Sequence, residues 1–376
     1  MTKQTDPILL TPGPTPVPPA IRQAMAQPMI HHRSSEFQAI LKEAGAGLKE
    51  IFKTAQDVYI LTSSGTGAME TAVVNILSPG DEALVIQGGK FGERWGEICQ
   101  AHGIQVTLID SPWGKPLDLK QVSAELAKHP GIKAVFSTLC ETSTGVTFDI
   151  RGIRTAMGSS GALLVVDAIS GLGAEPFAMD EWGLDVAVSG SQKGLMLPPG
   201  LAFIAFSAKA QEAATKSKSR KYYFDLALAK KAWADTDTPF TPAITLIIGL
   251  VESLKYIRSV GGVDKLIARN QAQADGIRKS LIGLGFELYA DPACASNSVI
   301  SAKVPAGVDG KDLLKRLRSQ YGVIIAGGQG KETGKIIRIA SMGAIGPQEI
   351  KAGFEALGKV LAEMKTASIG DFRSHV

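Results

Sequence analysis

Two ionisable residues stand at the ends of neighbouring strand-like runs, where they could do chemistry together. Asp167 ends the apolar run 162–166, and Lys193 lies in the small-residue stretch 189–194 that follows the next run. Carboxyl ends of parallel strands are where α/β sheets bind ligands, so the two side chains should lie side by side. Burial at such an edge lowers the pKa of a lysine enough for imine formation. A buried aspartate there needs a cation, such as a protonated pyridine nitrogen.

Each of these residues also has a purely structural interpretation. Asp167 could cap the turn that follows its strand, and most lysines lie at the surface. For Asp167 alone the two interpretations stay open. The position of both residues at the ends of consecutive strands favours the chemical one.

A third feature is the glycine-rich loop 63–67, which precedes a predicted helix over residues 68–77. Glycine lets the backbone approach an anion, and free amides at a helix start favour a phosphate there. Thr66 can add a hydroxyl donor. Such turns are also common for structural reasons alone. The loop is no dinucleotide fingerprint, because Glu70 stands where the third glycine belongs, and no Lys-Ser/Thr follows to make a Walker loop.

The elements that would position these residues alternate between strand-like and helical patterns, which predicts an α/β fold with a mostly parallel sheet. A helix over 244–260 leads to a smaller α/β unit, and the proline-rich stretch 11–19 should be extended. We therefore predict an extended N-terminal arm (1–25), a large domain (26–255) and a small C-terminal domain (256–376). The predicted strands of the large domain are 58–61, 83–86, 105–109, 134–137, 163–167, 186–189 and 202–206. In the small domain we predict helices over 263–284, 310–321 and 347–365 and strands near 286 and over 298–303, 323–326 and 335–340.

Composition narrows the classes of protein. The chain has 376 residues, 45% of them hydrophobic, and no apolar run of membrane-spanning length, so we expect a soluble cytoplasmic protein without a membrane partner. Its three cysteines have no C-x-x-C spacing and suggest neither a disulfide nor a metal site. The basic cluster at 216–221 lacks an aromatic platform, so no nucleic-acid partner is expected.

Several motifs together resemble one family. Ser-Gly-Ser-Gln-Lys at 189–193, Leu-Pro-Pro-Gly at 197–200 and Asp-Ala-Ile-Ser at 167–170 look like those of class V aminotransferases, which hold pyridoxal 5'-phosphate (PLP) in fold type I. Within that class the chain is similar to the alanine/serine–glyoxylate (serine–pyruvate) aminotransferase family. The resemblance implies an aspartate aminotransferase-like fold, with a large mixed sheet covered by helices on both faces and a smaller C-terminal α/β domain. Further matching motifs lie at 12–14, 64–67, 141–145, 238–242 and 334–339.

The resemblance also implies roles for single residues. Lys193 would hold PLP as a Schiff base and move the proton between the substrate Cα and the cofactor C4', while Asp167 would partner the pyridinium nitrogen. Arg338 would bind the substrate α-carboxylate bidentately, and the arm around Gly13 would close the pocket. The other implied cofactor contacts are Gly65, Thr66, Gly67, the Ala68 amide and Gln192 near the phosphate, Phe91 and Ile169 on the two ring faces, Thr142 beside the cofactor, and Thr241 from the partner subunit. Some relatives carry histidine in place of Ala68 and tryptophan in place of Phe91.

The implied activity is a PLP-dependent transamination in a homodimer with shared sites. The amino group would pass from a small L-amino acid (alanine, serine or aspartate) to a 2-oxo acid such as glyoxylate or pyruvate. A cysteine desulfurase is an alternative, but Gln192 and Phe91 stand where that class usually has histidines. A phosphoserine-type or aminoethylphosphonate-type transaminase would need extra basic residues. A non-catalytic, PLP-binding hydrogenase-associated subunit is a further alternative, which the intact set of Lys193, Asp167 and Arg338 disfavours.

Overall fold

The structure is a computed structural model that describes residues 6–373, with side chains described for residues 6–364. Residues 1–5 of the predicted arm and 374–376 of the predicted small domain lie outside the described part. The helices are α1 Pro19–Met25, α2 Ser35–Phe52, α3 Gly65–Ile76, α4 Lys90–Ala101, α5 Leu119–Lys128, α6 Ile150–Ala156, α7 Ala208–Ala214, α8 Leu226–Ala234, α9 Ile244–Ser259, α10 Val263–Gly283, α11 Gly310–Tyr321 and α12 Pro347–Arg373. The strands are β1 Ile8–Leu9, β2 Val58–Thr62, β3 Glu82–Gln87, β4 Gln105–Asp110, β5 Ile132–Thr138, β6 Cys140–Glu141, β7 Val146–Thr147, β8 Leu163–Asp167, β9 Val186–Gly190, β10 Leu201–Phe206, β11 Glu287–Leu288, β12 Val299–Lys303, β13 Val323–Ile324, β14 Ala326–Gly327 and β15 Ile336–Ala340.

Seven strands form the main sheet, in the order β2-β10-β9-β8-β5-β3-β4. Its strands are parallel except β10, which runs antiparallel to both β2 and β9. Alternate residues of β8 enter two hydrophobic cores: Leu164 and Val166 pack on one face of the sheet, Leu163 and Val165 on the other. Burial on both faces explains why this strand is a continuous apolar run. The predicted α/β fold with a mixed, mostly parallel sheet is confirmed.

A second, antiparallel sheet has the order β11-β12-β15-β14 and its own hydrophobic core. Helices α10, α11 and α12 pack around it. The predicted strand 323–326 divides in two, because β13 pairs with β1 near the N-terminus while β14 joins β15. The division of the chain at residues 25 and 255 into arm, large domain and small domain stays a prediction.

The N-terminal segment is only partly extended. Ile8–Leu9 pair in parallel with Val323–Ile324, and residues 10–18 contain no helix or strand. Residues 19–25 are the helix α1, so the prediction of an extended arm through residue 25 is wrong for them. Pro19 occupies the first helical position, where its fixed φ suits a helix, and buried Ile21 anchors the turn while α1 packs on α9.

Most other element boundaries follow the sequence pattern within a few residues, but α12 ends at Arg373 and not at residue 365 as predicted. One further difference matters for the site. Helix α3 begins at Gly65, three residues before the predicted start at Ala68. Among residues 6–373, no helix is long and apolar enough to cross a membrane.

Candidate active site

Asp167 and Lys193 come together because their strands are neighbours. Asp167 is the last residue of β8 and lies opposite Val188 of the parallel strand β9. Lys193 follows β9 in a tight loop, in which the Met196 amide donates to the Lys193 carbonyl over 3.0 Å. Gly194 is required here, since a β-carbon at that position would overlap the Leu172 carbonyl in the turn after β8.

The Asp167 carboxylate is buried with few hydrogen-bond donors. Its side chain is 3% exposed, and Oδ1 accepts one hydrogen bond, from the Ile169 amide at 2.7 Å. Within the described part of the chain, Oδ2 has no partner. Burial raises the pKa of this carboxyl group to about 7, whereas the hydrogen bond from the Ile169 amide acts to lower that pKa. A cation beside Oδ2 would give the Asp167 carboxylate the partner that it lacks.

Lys193 is buried as well, at 8% exposure, and its Nζ donates to the Pro12 carbonyl. Burial lowers the pKa of the amine to about 8, while the nearby Cys140 and Asp167 favour the charged form. A lysine with this pKa has a substantial neutral fraction near neutral pH, which makes it a nucleophile and a proton acceptor.

The N-terminal segment covers the lysine. Thr15 donates its hydroxyl to the Lys193 carbonyl over 3.0 Å and its amide to the Gln192 carbonyl over 3.1 Å. A β-carbon on Gly13 would lie 2.6 Å from Lys193 Nζ, and the φ of Gly13 is +132°. Only glycine therefore allows the segment to pass this close to the amine.

The loop before α3 lies beside the turn that follows Asp167. A β-carbon on Gly65 would lie 2.5 Å from Ile169 Cδ1, so these two predicted site residues are in contact. Gly67 donates its amide to the Ser64 carbonyl over 2.9 Å, which leaves the amides of Gly65 and Thr66 as the free donors of the first turn. Ala68 lies in the fourth helical position, directly after Gly67, and the predicted contact of its amide with a phosphate stays a prediction.

Phe91 stands in the first turn of α4, which Glu141 caps from the hairpin β6–β7. The buried Glu141 carboxylate accepts from the amides of Phe91 (3.1 Å) and Gly92 (2.8 Å) and from the amide and hydroxyl of Ser143 (3.1 and 2.6 Å). Burial raises the pKa of Glu141, and these donors oppose the change. The guanidinium of Arg94 lies 5.0 Å from the centre of the Phe91 ring.

Arg338 reaches the site from the second sheet. It is 6% exposed, and it donates from Nε to the Gly327 carbonyl (2.8 Å) and from Nη1 to the Thr142 carbonyl (2.9 Å). Thr142 in turn donates its hydroxyl to Ser170 Oγ over 2.6 Å. Burial lowers the pKa of Arg338 to about 10, and among residues 6–364 no carboxylate forms an ion pair with it.

Two predicted site residues, Gln192 and Thr241, form no side-chain hydrogen bond with Lys193 or Asp167 in the described part of the chain. The amide oxygen of Gln192 is buried without any hydrogen-bond partner in the described part of the chain. Thr241 is exposed, and no contact joins it to Lys193 or Asp167 within this single chain.

The sequence interpretation gave no role to several residues of the site. These are Pro12, Thr15, Arg94, Glu141 and Ser170. The three-residue spacing of Phe91 and Arg94 on one helix was a usable signal, since such residues share a face. The Pro12 contact is made by a backbone carbonyl, for which no side chain gives a signal.

The site has the groups that PLP requires. Asp167 keeps one carboxylate oxygen unpartnered for a protonated ring nitrogen, and Lys193 supplies an amine for the aldehyde. The free amides of Gly65 and Thr66 at the start of α3 are available as donors to a phosphate group. The residues present therefore fit this cofactor.

Comparisons with known proteins agree with this geometry. A family model described as "Aminotransferase class-V" matches residues 9–344. The chain is 41% identical to the "Soluble hydrogenase, small subunit" of Synechococcus sp. (strain PCC 6716), over 95% of this chain and 93% of that protein. It is 38% identical to the "L-aspartate--glyoxylate aminotransferase" of Paracoccus denitrificans, over 97% of this chain and 93% of that protein. A crystal structure of alanine–glyoxylate aminotransferase from Nostoc sp. superposes with a TM-score of 0.92 at 29% identity, over 96% of each chain.

Proposed function

The chain belongs to the class-V aminotransferases and is a PLP-dependent transaminase, and we propose that it acts on small amino and oxo acids. Its amino donor in this proposal is L-alanine, L-serine or L-aspartate, and its acceptor is a 2-oxo acid such as glyoxylate or pyruvate. The observation that carries the proposal is buried Arg338, a cation without an acidic partner among the described residues. The names of the two similar aminotransferases, which concern aspartate, alanine and glyoxylate, support the same substrate class.

We assign the cofactor contacts as follows. Lys193 would hold the cofactor covalently through Nζ, and Asp167 would keep the pyridine nitrogen protonated with its free oxygen. Phe91 and Ile169 would cover the two faces of the ring, and Thr142 would lie beside it. When bound, PLP supplies an electron sink for the electron pair that remains when the Cα–H bond of the substrate breaks. The phosphate contacts are assigned to Gly65, Thr66, Gly67, the Ala68 amide and Gln192.

The proton at the substrate Cα passes to Lys193. For this the amine must be neutral, and its burial provides that state by lowering the pKa to about 8. The Pro12 carbonyl accepts a hydrogen bond from Nζ, which fixes the direction of the side chain. The segment around Gly13 lies against the amine and excludes water from it.

Arg338 binds the α-carboxylate of the substrate. Two of its nitrogens are held by the carbonyls of Gly327 and Thr142, so the guanidinium is fixed before the substrate arrives. A guanidinium fixed in this way loses little side-chain entropy on binding an anion. The carboxylate would also supply the direct ion pair that no carboxylate among residues 6–364 forms with Arg338.

A half-reaction tests the activity directly. We expect the yellow PLP form to convert to the pyridoxamine phosphate form when mixed with L-alanine, L-serine or L-aspartate, and glyoxylate or pyruvate to restore it. Stopped-flow absorbance measures both directions. In the variant Arg338→Gln the amino acid concentration for half-maximal rate should rise about tenfold or more, because a charge-assisted hydrogen bond is lost. Absence of any spectral change with all three amino acids in a PLP-loaded protein would contradict the proposal.

A cysteine desulfurase and a non-catalytic PLP-binding subunit would each have properties that differ from those of a transaminase. A desulfurase needs a reactive thiolate, but Cys99, Cys140 and Cys294 are buried, and burial raises their thiol pKa values to about 12, 12 and 11. All three are free thiols, which supports the proposal of a cytoplasmic location. A non-catalytic role, which the name of the Synechococcus relative raises, predicts no half-reaction at all.

We also propose that the active unit is a homodimer in which Thr241 contacts the phosphate at the partner's site. The segment 238–242 is flanked by an exposed aromatic cluster: Tyr222 is 74% exposed, and the ring of Tyr223 stacks on Phe240 with centroids 4.9 Å apart. Exposed aromatic clusters of this kind favour a protein interface. An interface here would bring the otherwise isolated Thr241 to a second copy of the site.

Subunit complementation tests the shared site. Lys193→Ala and Thr241→Arg should each be inactive alone, and a mixture should recover activity, because one hybrid site then contains both native residues. Exchange of subunits must first be shown by mass spectrometry of tagged chains. No recovery after proven exchange, or an active monomer by light scattering, would reject the shared site.

A further inference from the structure

Arg94 links two predicted cofactor contacts, yet the proposed mechanism gives it no role. Its Nη1 lies 3.2 Å from the hydroxyl oxygen of Thr66, in the first turn of α3. Its guanidinium also lies over the Phe91 ring, one turn earlier on α4. A single side chain therefore connects the loop that faces the phosphate with the ring that covers the cofactor.

The charge of Arg94 is not neutralised by a neighbouring acid. Within the described part of the chain it forms no ion pair, since Glu93 pairs with Lys90 and Glu141 is occupied by backbone and hydroxyl donors. Arg94 is only partly exposed, so solvent screens its charge incompletely. Its positive charge reaches the site, because it acts to lower the pKa of both Asp167 and Lys193.

The contact with Thr66 also decides what that hydroxyl can do. A guanidinium only donates hydrogen bonds, so Thr66 Oγ1 must be the acceptor in this pair. The hydroxyl proton is then left for another acceptor, and none is present among the described residues. Thr66 follows Gly65, whose free amide belongs to the same helix start, where an anion is favoured.

We propose that Arg94 is a positioning residue for the cofactor phosphate: it holds the Thr66 oxygen so that the hydroxyl donates to a phosphate oxygen, and it adds positive charge to that site. Arg94 thereby makes the enzyme selective for the phosphorylated cofactor. The inference depends on PLP as the cofactor, but not on which amino and oxo acids react.

Binding of two ligands to the apoprotein separates this role from others. PLP and pyridoxal share the ring and the aldehyde, and only PLP has the phosphate. In Arg94→Gln we expect the Kd for PLP to rise about tenfold and the Kd for pyridoxal to stay unchanged, because only the phosphate loses a charge-assisted partner. Spectral titration measures both constants without any substrate, so an error in the proposed donor or acceptor leaves the result unaffected.

Two further variants connect the effect to Thr66. Thr66→Val should also weaken PLP selectively, and the double variant should lose less than the product of the single effects, since both act through one hydrogen bond. Arg94→Lys keeps the charge and should regain part of the PLP affinity. Arg151→Gln removes an exposed arginine of α6 that pairs with Glu181, and it should bind both ligands as the wild type does.

Three outcomes would overturn the proposal. An equal loss of PLP and pyridoxal affinity in Arg94→Gln would show that Arg94 acts through the Phe91 ring or the fold, and an unchanged PLP affinity would show no role. Fully multiplicative effects of Arg94→Gln and Thr66→Val would separate the two residues. If the wild-type apoprotein bound neither ligand, the cofactor assignment would fail together with this proposal, whereas failure in the variants alone leaves that assignment intact.

Discussion

Two buried carboxylates near the site are built in opposite ways. Glu141, in the hairpin β6–β7, accepts hydrogen bonds from three amides and one hydroxyl. Asp167, at the end of β8, accepts one. Burial raises the pKa of both acids, but only Asp167 depends on something outside the protein to satisfy its second oxygen. The protein itself supplies the hydrogen-bond donors of Glu141, whereas Asp167 keeps an oxygen that a ligand could use.

Glu175 extends the comparison to the second sheet. Its buried carboxylate accepts from the Ser296 hydroxyl (2.6 Å) and from the amides of Asn297 (2.6 Å) and Ser298 (3.0 Å). It thus fixes the entry into β12 as Glu141 fixes the start of α4. Burial alone therefore does not distinguish a predicted site residue in this protein, whereas Asp167 differs from both glutamates in its unfilled hydrogen-bond capacity.

The largest expected effect is at the incomplete site. Lys193→Ala should abolish covalent attachment of PLP and reduce transamination to background, because Lys193 supplies the amine beside Asp167. Borohydride reduction followed by peptide mapping measures the attachment. Labelling of another lysine in the wild type would show that Lys193 is not the residue that attaches PLP.

Asp167→Asn should act on chemistry and not on folding. The amide keeps an acceptor for the Ile169 amide but gives up the anion that holds the ring nitrogen protonated, so the half-reaction should slow by roughly 10²–10³-fold. The free energy of unfolding of the apoprotein should change little. Stopped-flow absorbance and urea denaturation measure the two effects, and full activity in a PLP-loaded variant would refute the role of Asp167.

Glu141→Gln is the matched change at the saturated acid. One carboxylate oxygen becomes an NH₂ group that cannot accept, so at least one buried donor loses its partner and the free energy of unfolding should fall by about 1.5–3 kcal/mol. Urea denaturation of the apoprotein measures this loss. A stability equal to that of the wild type would show that the two acids do not differ as described.

The smallest expected effect concerns pH. Attachment of PLP requires neutral Lys193, and the folded pKa of about 8 lies below the ordinary value for lysine, so the attachment rate should rise with pH and level off above about 8. From pH 7 to pH 9 the increase should be about tenfold. Asp167→Asn removes an anion that raises the pKa of Lys193, so its midpoint should lie at lower pH. Rapid-mixing absorbance measures both profiles, and a midpoint near that of a free lysine would contradict the burial argument.

Much of the fold was predictable because its strands are continuous apolar runs. The limits of β8 and α11 follow directly from the pattern, as does the closeness of Asp167 and Lys193. The pairing of β1 with β13 was not predictable, since two-residue strands far apart in the sequence have no periodicity of their own. The hydrogen bonds to the Glu141 carboxylate were not predictable either, because their donors are mostly backbone amides, which any sequence provides.

The pairing of β1 with β13 has a consequence for biosynthesis. Ile8 is made 315 residues before its partner Val323. The segment that covers Lys193 through Pro12 and Thr15 can therefore pair in this way only after Val323 has left the ribosome. Until then the loop that contains Lys193 stays open to solvent on that side.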